Sequence, residues 1–217
     1  MTPQEKIKFK SQAQTRALVL PLGTLEDPEG TKRFDTEKYV EGYAARYEPY
    51  ILFNDFFGVK VYERFERGCF DETDFSDVIM QYDHDGRVFA RTTNGTLIVE
   101  PDETGLFMAA DLNHTDGARD LYGDIEAKMI TKMSWRFRIG EYDIEEDAET
   151  GDLTIVHRSI PKVYDVSAVS IPANDNTEIN ARSMVDGVID ILARREAERD
   201  DIKRRRLALQ IKIFMEE

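Results

Sequence analysis

Between Val88 and Leu112 short β-prone runs alternate with turn signals. Val88 to Thr93 leads into Asn94-Gly95, Thr96 to Glu100 follows, Pro101-Asp102-Glu103-Thr104-Gly105 reverses the chain again, and Leu106 to Leu112 forms a third run. Asn-Gly between two such runs predicts a two-residue type I′ hairpin, because both central residues of that turn need positive φ, which Asn and Gly tolerate best. The three runs together predict a β-meander.

The same logic extends outward. Tyr39 to Tyr47 and Val59 to Phe65 are aromatic and β-branched with rough alternation, which predicts strands. Asp71 to Met80 is expected to be helical, with Phe75, Val78 and Ile79 on one short apolar face. Ala118, Leu121, Tyr122, Ile125 and Met129 recur at helical spacing, with Thr115 or Asp116 as N-cap. In Met133-Ser134-Trp135-Arg136-Phe137-Arg138-Ile139 apolar and polar residues alternate strictly, so a half-buried strand is predicted. Its apolar set faces the core and Ser134 points away, beside Arg136 and Arg138, open to a substrate; the alternative is a buried, hydrogen-bonded serine. Glu141 to Asp152 reads as a loop or hairpin tip, and Thr154 to Val156 and Lys162 to Ile171 as further strands.

Composition changes at both ends. Residues 1–35 are polar and irregular, with a turn at Asp27-Pro28-Glu29-Gly30, and are expected to form a poorly ordered leader. Residues 36–180 form the domain. Residues 181–217 open with the helical stripe Met184, Val185, Val188, Ile189 and Leu192, continue as an almost wholly charged stretch, and read as a charged helical tail, trimmed or scaffold-binding.

Acidic residues outnumber basic ones 43 to 29, for a formal net charge of −14, which argues against a general nucleic-acid binder. The basic clusters, Lys6, Lys8 and Lys10 at one end and Arg194, Arg195, Arg199 and Lys203 to Arg206 at the other, read as solvated flanks. The single cysteine, Cys69, excludes an internal disulfide and a multi-cysteine zinc site, consistent with a reducing cytoplasm. No signal-peptide core or run of membrane-spanning length is present, so no membrane partner is expected.

His84 in Tyr82-Asp83-His84-Asp85, Ser134, and Asp165 in Val163-Tyr164-Asp165-Val166-Ser167 supply a base, a nucleophile and a carboxylate to orient the base. That is the minimum set for acyl transfer through a serine. No G-x-S-x-G elbow surrounds Ser134. A metal site at His84, Asp83 and Asp85 is a weaker reading. The remaining histidines, His114 and His157, form no H-x-x-x-H or H-E-x-x-H pair with it.

Gly42-Tyr43-Ala44-Ala45, Arg67-Gly68-Cys69-Phe70, His84-Asp85, Met133-Ser134-Trp135-Arg136-Phe137, and Asp165-Val166-Ser167 through Ile171-Pro172-Ala173-Asn174 occur in that order. Together they resemble the prohead maturation proteases of tailed bacteriophages, which are related to the herpesvirus protease assemblin. The resemblance runs from about residue 36 to residue 178. It implies an α+β fold: a mostly antiparallel β-barrel with one or two packed helices and a helical C-terminal tail. It also implies a serine endopeptidase with no cofactor, in which Ser134 is the nucleophile, His84 the general base and Asp165 the third member. His157 is a rival third member, because the herpesvirus enzymes use a second histidine. Arg136 and Arg138 are possible oxyanion or substrate contacts, and Trp135-Arg136 stands where the family commonly has Phe-Gly.

The resemblance implies scaffold and major-capsid-protein precursor as substrates, self-cleavage, self-association, and action inside the procapsid in the host cytoplasm. The rival reading is a non-enzymatic barrel module that shapes or scaffolds the capsid.

Overall fold

The computed structural model describes residues 32–54, 58–170, 191–198, 201–202 and 204, and the backbone of residues 13–24. Among the described residues twelve strands run in chain order: β1 (Ala13–Thr24), β2 (Tyr39–Arg46), β3 (Tyr50–Asn54), β4 (Lys60–Phe65), β5 (Ile79–Tyr82), β6 (Asp85–Arg91), β7 (Leu97–Pro101), β8 (Gly105–Asp111), β9 (Lys132–Arg138), β10 (Tyr142–Glu146), β11 (Leu153–His157) and β12 (Lys162–Val169). One helix, α1 (Asp116–Glu126), joins β8 to β9, and residues 191–198 are helical. No helix among the described residues is long and apolar enough to cross a membrane.

The strands form two sheets. The larger has the order β6-β5-β12-β9-β1-β2-β8-β7, and the smaller β10-β11-β4-β3. Most pairings are antiparallel, but β11 runs parallel to β4 and β12 parallel to β5. The expected barrel is therefore not formed as a closed ladder. Among the described residues, the bonds between the edge strands β6 and β7 lie around the turn that links them, where Thr96 N–H donates to Arg91 O and Arg91 N–H to Thr96 Oγ1.

Packing explains why the predicted alternation in β9 holds. Met133, Trp135, Phe137 and Ile139 are all buried. The Trp135 and Phe137 rings stack, and Phe65 from the smaller sheet meets them edge-on, with its centroid 5.3 Å from that of Trp135. Burying one such apolar side chain stabilises by about 1.5–3 kcal/mol through area alone, and an aromatic pair of this geometry adds about 0.5–1.5 kcal/mol. The same rings that hold the two sheets together thus fix which face of β9 looks away from the core. Thr115 caps α1 by accepting from Ala118 N–H, and Ala118, Leu121, Tyr122 and Ile125 form its buried face. Met129, counted in that stripe, lies beyond the helix and is exposed.

Five further sequence expectations are corrected. Within the supposed leader, Ala13–Thr24 is a strand between β9 and β2. Pro21, which interrupts its apolar run, sits at the register shift after Leu18, where a missing ladder donor is tolerated. Asp71–Met80 is not a helix. It is a run of turns from Gly68 (φ 88°), a bridge from Asp74 to Lys162, and then β5. The Asp74 side chain accepts from Ser76 N–H, a local bond that competes with helix, and Val78 and Met80 are buried at a spacing of two.

Asn94-Gly95 does not form a type I′ hairpin. Thr92–Asn94 is a turn of 3₁₀ helix closed by Gly95 at φ 74°, and the Asn94 side chain accepts from Thr96 instead. With β6 paired to β5 and β7 to β8, the three-strand meander reduces to the β7–β8 hairpin. At the C-terminal end, the Arg195 guanidinium is not a free solvated charge: it bonds Gly151 O and pairs with Glu146. The rest of the tail expectation falls largely outside the described residues.

Deleting residues 1–24 removes the strand that joins β9 to β2. The truncated chain should lose cooperative thermal unfolding by circular dichroism; a melt unchanged from that of the full chain would contradict this placement of β1.

Candidate active site

The site begins with a change of face in β12. Antiparallel pairing sets Val163 opposite Phe137, but Asp165 opposite Arg136, so Tyr164 is an extra residue bulged out of the ladder. Opposed residues share a face of the sheet. Without the bulge, Asp165 would follow Val163 into the core; with it, Asp165 turns to the face of Arg136. Bulges commonly re-aim side chains beside functional sites in this way. The register then continues as Val166 opposite Trp135 and Ser167 opposite Ser134. Asp165 and Ser167 on β12, and Ser134 and Arg136 on β9, therefore share the face away from the aromatic core.

His84 arrives from the neighbouring β5–β6 connection. Tyr82 pairs with Asp85, leaving Asp83 and His84 as a two-residue turn with φ of 49° and 60°. Positive φ at both central residues is what a type I′ turn requires. The tight turn expected at Asn94-Gly95 thus occurs here, on non-glycine residues that adopt this conformation at a cost of about 1–2 kcal/mol each. Asp83 offsets that cost: its N–H donates to Ala168 O, and its carboxylate accepts from the N–H and hydroxyl of Ser170. The turn is bound to the end of β12, and it holds the imidazole over Ser134 and Asp165.

These elements join three side chains in a line. Nδ1 of His84 is 2.5 Å from Asp165 Oδ1, and Nε2 is 2.5 Å from Ser134 Oγ. An ionised carboxylate only accepts, so Nδ1 carries the proton and Nε2 accepts from the Ser134 hydroxyl. Ser134 and Asp165 are each 1% exposed. Ser134 therefore lies off the core-facing side, as the alternation predicts, but it is buried rather than open.

Sequence reasoning did not assign a role to Ser167, whose hydroxyl donates to Asp165 Oδ1 at 2.7 Å. The signal was available, since residues two apart on a strand share a face. Arg136, expected as an oxyanion or substrate contact, is engaged elsewhere: its Nε lies 3.6 Å from Asp165 Oδ2 and its Nη2 3.5 Å from His84 O. Arg138 is half-buried at the end of β9 and is not joined to this group by any bond among the described residues.

His157 is not brought to Ser134. It is fully buried in the smaller sheet, with Nε2 2.8 Å from Glu63 Oε1 and its ring stacked on Phe65. Glu63, itself buried, also accepts from the Tyr50 hydroxyl. Cys69 is 3% exposed, and burial pushes its thiol up to about 12, far from a nucleophilic thiolate. Asp83 is committed to Ser170 and Asp85 accepts from Gly86 N–H. Among the described residues no three His, Cys, Asp or Glu side chains group as metal ligands.

The arrangement can remove a proton from a serine hydroxyl and stabilise the resulting imidazolium. Comparison with curated proteins and with solved structures found no match. The family model of the caudovirus prohead serine protease matches residues 27–188. That span contains β2 to β12, with the β12 bulge, the Asp83-His84 turn and all three bonded side chains, and the chain belongs to the caudovirus prohead serine protease family.

Proposed function

We propose that Ser134 attacks the scissile carbonyl of a peptide while His84 Nε2 takes its proton. The tetrahedral intermediate collapses to an acyl-enzyme as His84 returns that proton to the leaving amine. Water, deprotonated by the same nitrogen, then releases the acyl group and restores the Ser134 hydroxyl. Asp165 holds the imidazole by its Nδ1–H and stabilises the imidazolium. The observation that carries this reading is the unbroken line from Ser134 Oγ through His84 to a buried carboxylate, at 2.5 Å for each bond.

Ser167 and Arg136 act as positioning residues. Ser167 fixes the Asp165 oxygen that faces the imidazole, and Arg136 sets a positive charge beside the other oxygen while bonding the backbone of the His84 turn. With Arg136 so engaged, oxyanion stabilisation falls to backbone N–H groups. Arg138, two positions further along the same face, is a substrate contact. The substrates are scaffold and the precursor segment of the major capsid protein inside the procapsid, assembled in the host cytoplasm, and the enzyme trims its own ends there. A purely scaffolding module would have no use for a buried Ser-His-Asp line.

Co-expression with a capsid precursor, read by intact mass, tests the activity. Wild type should shorten the precursor, whereas Ser134→Ala and His84→Ala should leave it whole. Identical full-length masses in all three would refute the protease reading. Asp165→Asn should lower kcat by about 10⁴-fold through the wrong imidazole tautomer. Ser167→Ala should lower it by about 10–100-fold with KM nearly unchanged, the size expected for one hydrogen bond to a charged group. Ser167→Thr should restore most of the loss. Equal loss in Ser167→Ala and Ser167→Thr would mean that the hydroxyl has no positioning role.

A further inference from the structure

A cleft of about 440 Å³ opens between α1 and the β5–β6 hairpin. Its apolar lining comes from Phe89, Leu121 and Ile130, with Tyr82 and Met129 also contributing. Tyr82 is 37% and Met129 77% exposed, so both offer uncovered apolar surface. Two α1 carboxylates, Asp120 and Asp124, line the same cleft and face solvent. Like charges four apart on a helix repel each other, and a cation between them relieves that repulsion.

The cleft is mechanically part of the His84 turn. Tyr82 precedes His84 by two residues, so their Cα atoms are at most about 7.6 Å apart. Ser170, also in the lining, is the residue that the Asp83 carboxylate holds. An extended peptide advances about 3.3 Å per residue. A chain whose scissile bond meets Ser134 therefore reaches this cleft within a few residues.

Resting on the protease reading above, we propose that the cleft is a specificity subsite for an extended peptide bearing a large apolar side chain beside Lys or Arg. The apolar side chain covers Phe89, Tyr82 and Met129, and the neighbouring cation lies between Asp120 and Asp124. The chain's own segment after Ser170 is a poor occupant. Residues 171–190 carry Asp175, Glu178, Asp186 and Asp190 against the single Arg182, so like charge opposes its entry. Segments of the right chemistry do occur elsewhere in this sequence: Ile7 and Phe9 alternate with Lys6, Lys8 and Lys10, and Leu207 follows Lys203 to Arg206.

Binding to the full-length Ser134→Ala protein tests this by fluorescence anisotropy, with a labelled peptide of residues 1–15 as the probe. A counterpart with Glu at positions 6, 8 and 10 should bind about tenfold more weakly, and the gap should shrink as salt rises. A counterpart with Ser at positions 7 and 9 should also bind more weakly. Adding Asp120→Lys and Asp124→Lys, both at exposed positions, should invert the preference between the basic and acidic peptides. Met129→Ser should weaken both peptides. Unchanged preference in the charge-reversed protein, with its thermal unfolding intact, would overturn the subsite, as would equal affinity for the parent peptide and its Ser counterpart. Because the readout is binding to protein that lacks the nucleophile, failure of hydrolysis in wild type would count against the protease reading and not against this one.

Discussion

A buried carboxylate that must be satisfied governs the architecture of the site. Asp165 is 1% exposed, and a carboxylate so placed is costly unless charge and hydrogen bonds compensate it. It accepts from His84 on a turn, from Ser167 on its own strand, and lies beside Arg136 on the adjoining strand. Three segments distant in sequence are thereby held to one group. The Tyr164 bulge makes this possible, because it turns Asp165 out of the aromatic core while leaving Val163 and Val166 packed within it. Deprived of its partners, the same carboxylate would be an unpaired buried charge, so the arrangement forms or fails as a unit.

The second constraint is the geometry of Asp83-His84. Sharp reversal at positive φ carries strain, and such strain persists only where surrounding structure over-determines it. The surrounding structure here is β12: it runs parallel to β5, receives the Asp83 N–H at Ala168 and presents Ser170 to the Asp83 side chain. The strand that carries the carboxylate is also the one that fixes the histidine. His84, Asp165 and Ser134 are accordingly mounted on three adjacent strands or their connections, in the sheet order β5-β12-β9.

What was legible in the sequence follows from the range of the interactions involved. The strict alternation of Met133 to Ile139 and the Thr115-capped helix are local patterns, and packing against Phe65 and the neighbouring strands reinforces both. The pairing of His84, Ser134 and Asp165 was reached by the order of short motifs, and the geometry unites those three. Long-range effects were hidden. β1 lies within a stretch read as polar and irregular, yet it pairs with both β9 and β2, and Pro21 falls at its register shift. Asp71 to Met80 has apolar residues that suit a helix, but Asp74 and Lys162 join it to β12. Asn94-Gly95 carries the residue preference of a tight hairpin, whereas the positive-φ turn is placed at Asp83-His84, where β12 supplies the compensating bonds. The case for His157 rested on analogy alone; its burial against Phe65 and Glu63 removes it from the site.

The line from Asp165 through His84, as proposed, activates Ser134 and no other hydroxyl. Covalent labelling with a fluorophosphonate, followed by peptide mapping of the adduct, measures this directly. One phosphonylated residue, Ser134, is expected in the wild type, with loss of the adduct in His84→Ala while the protein stays folded. An adduct on a different serine, or undiminished labelling of Ser134 without His84, would contradict it.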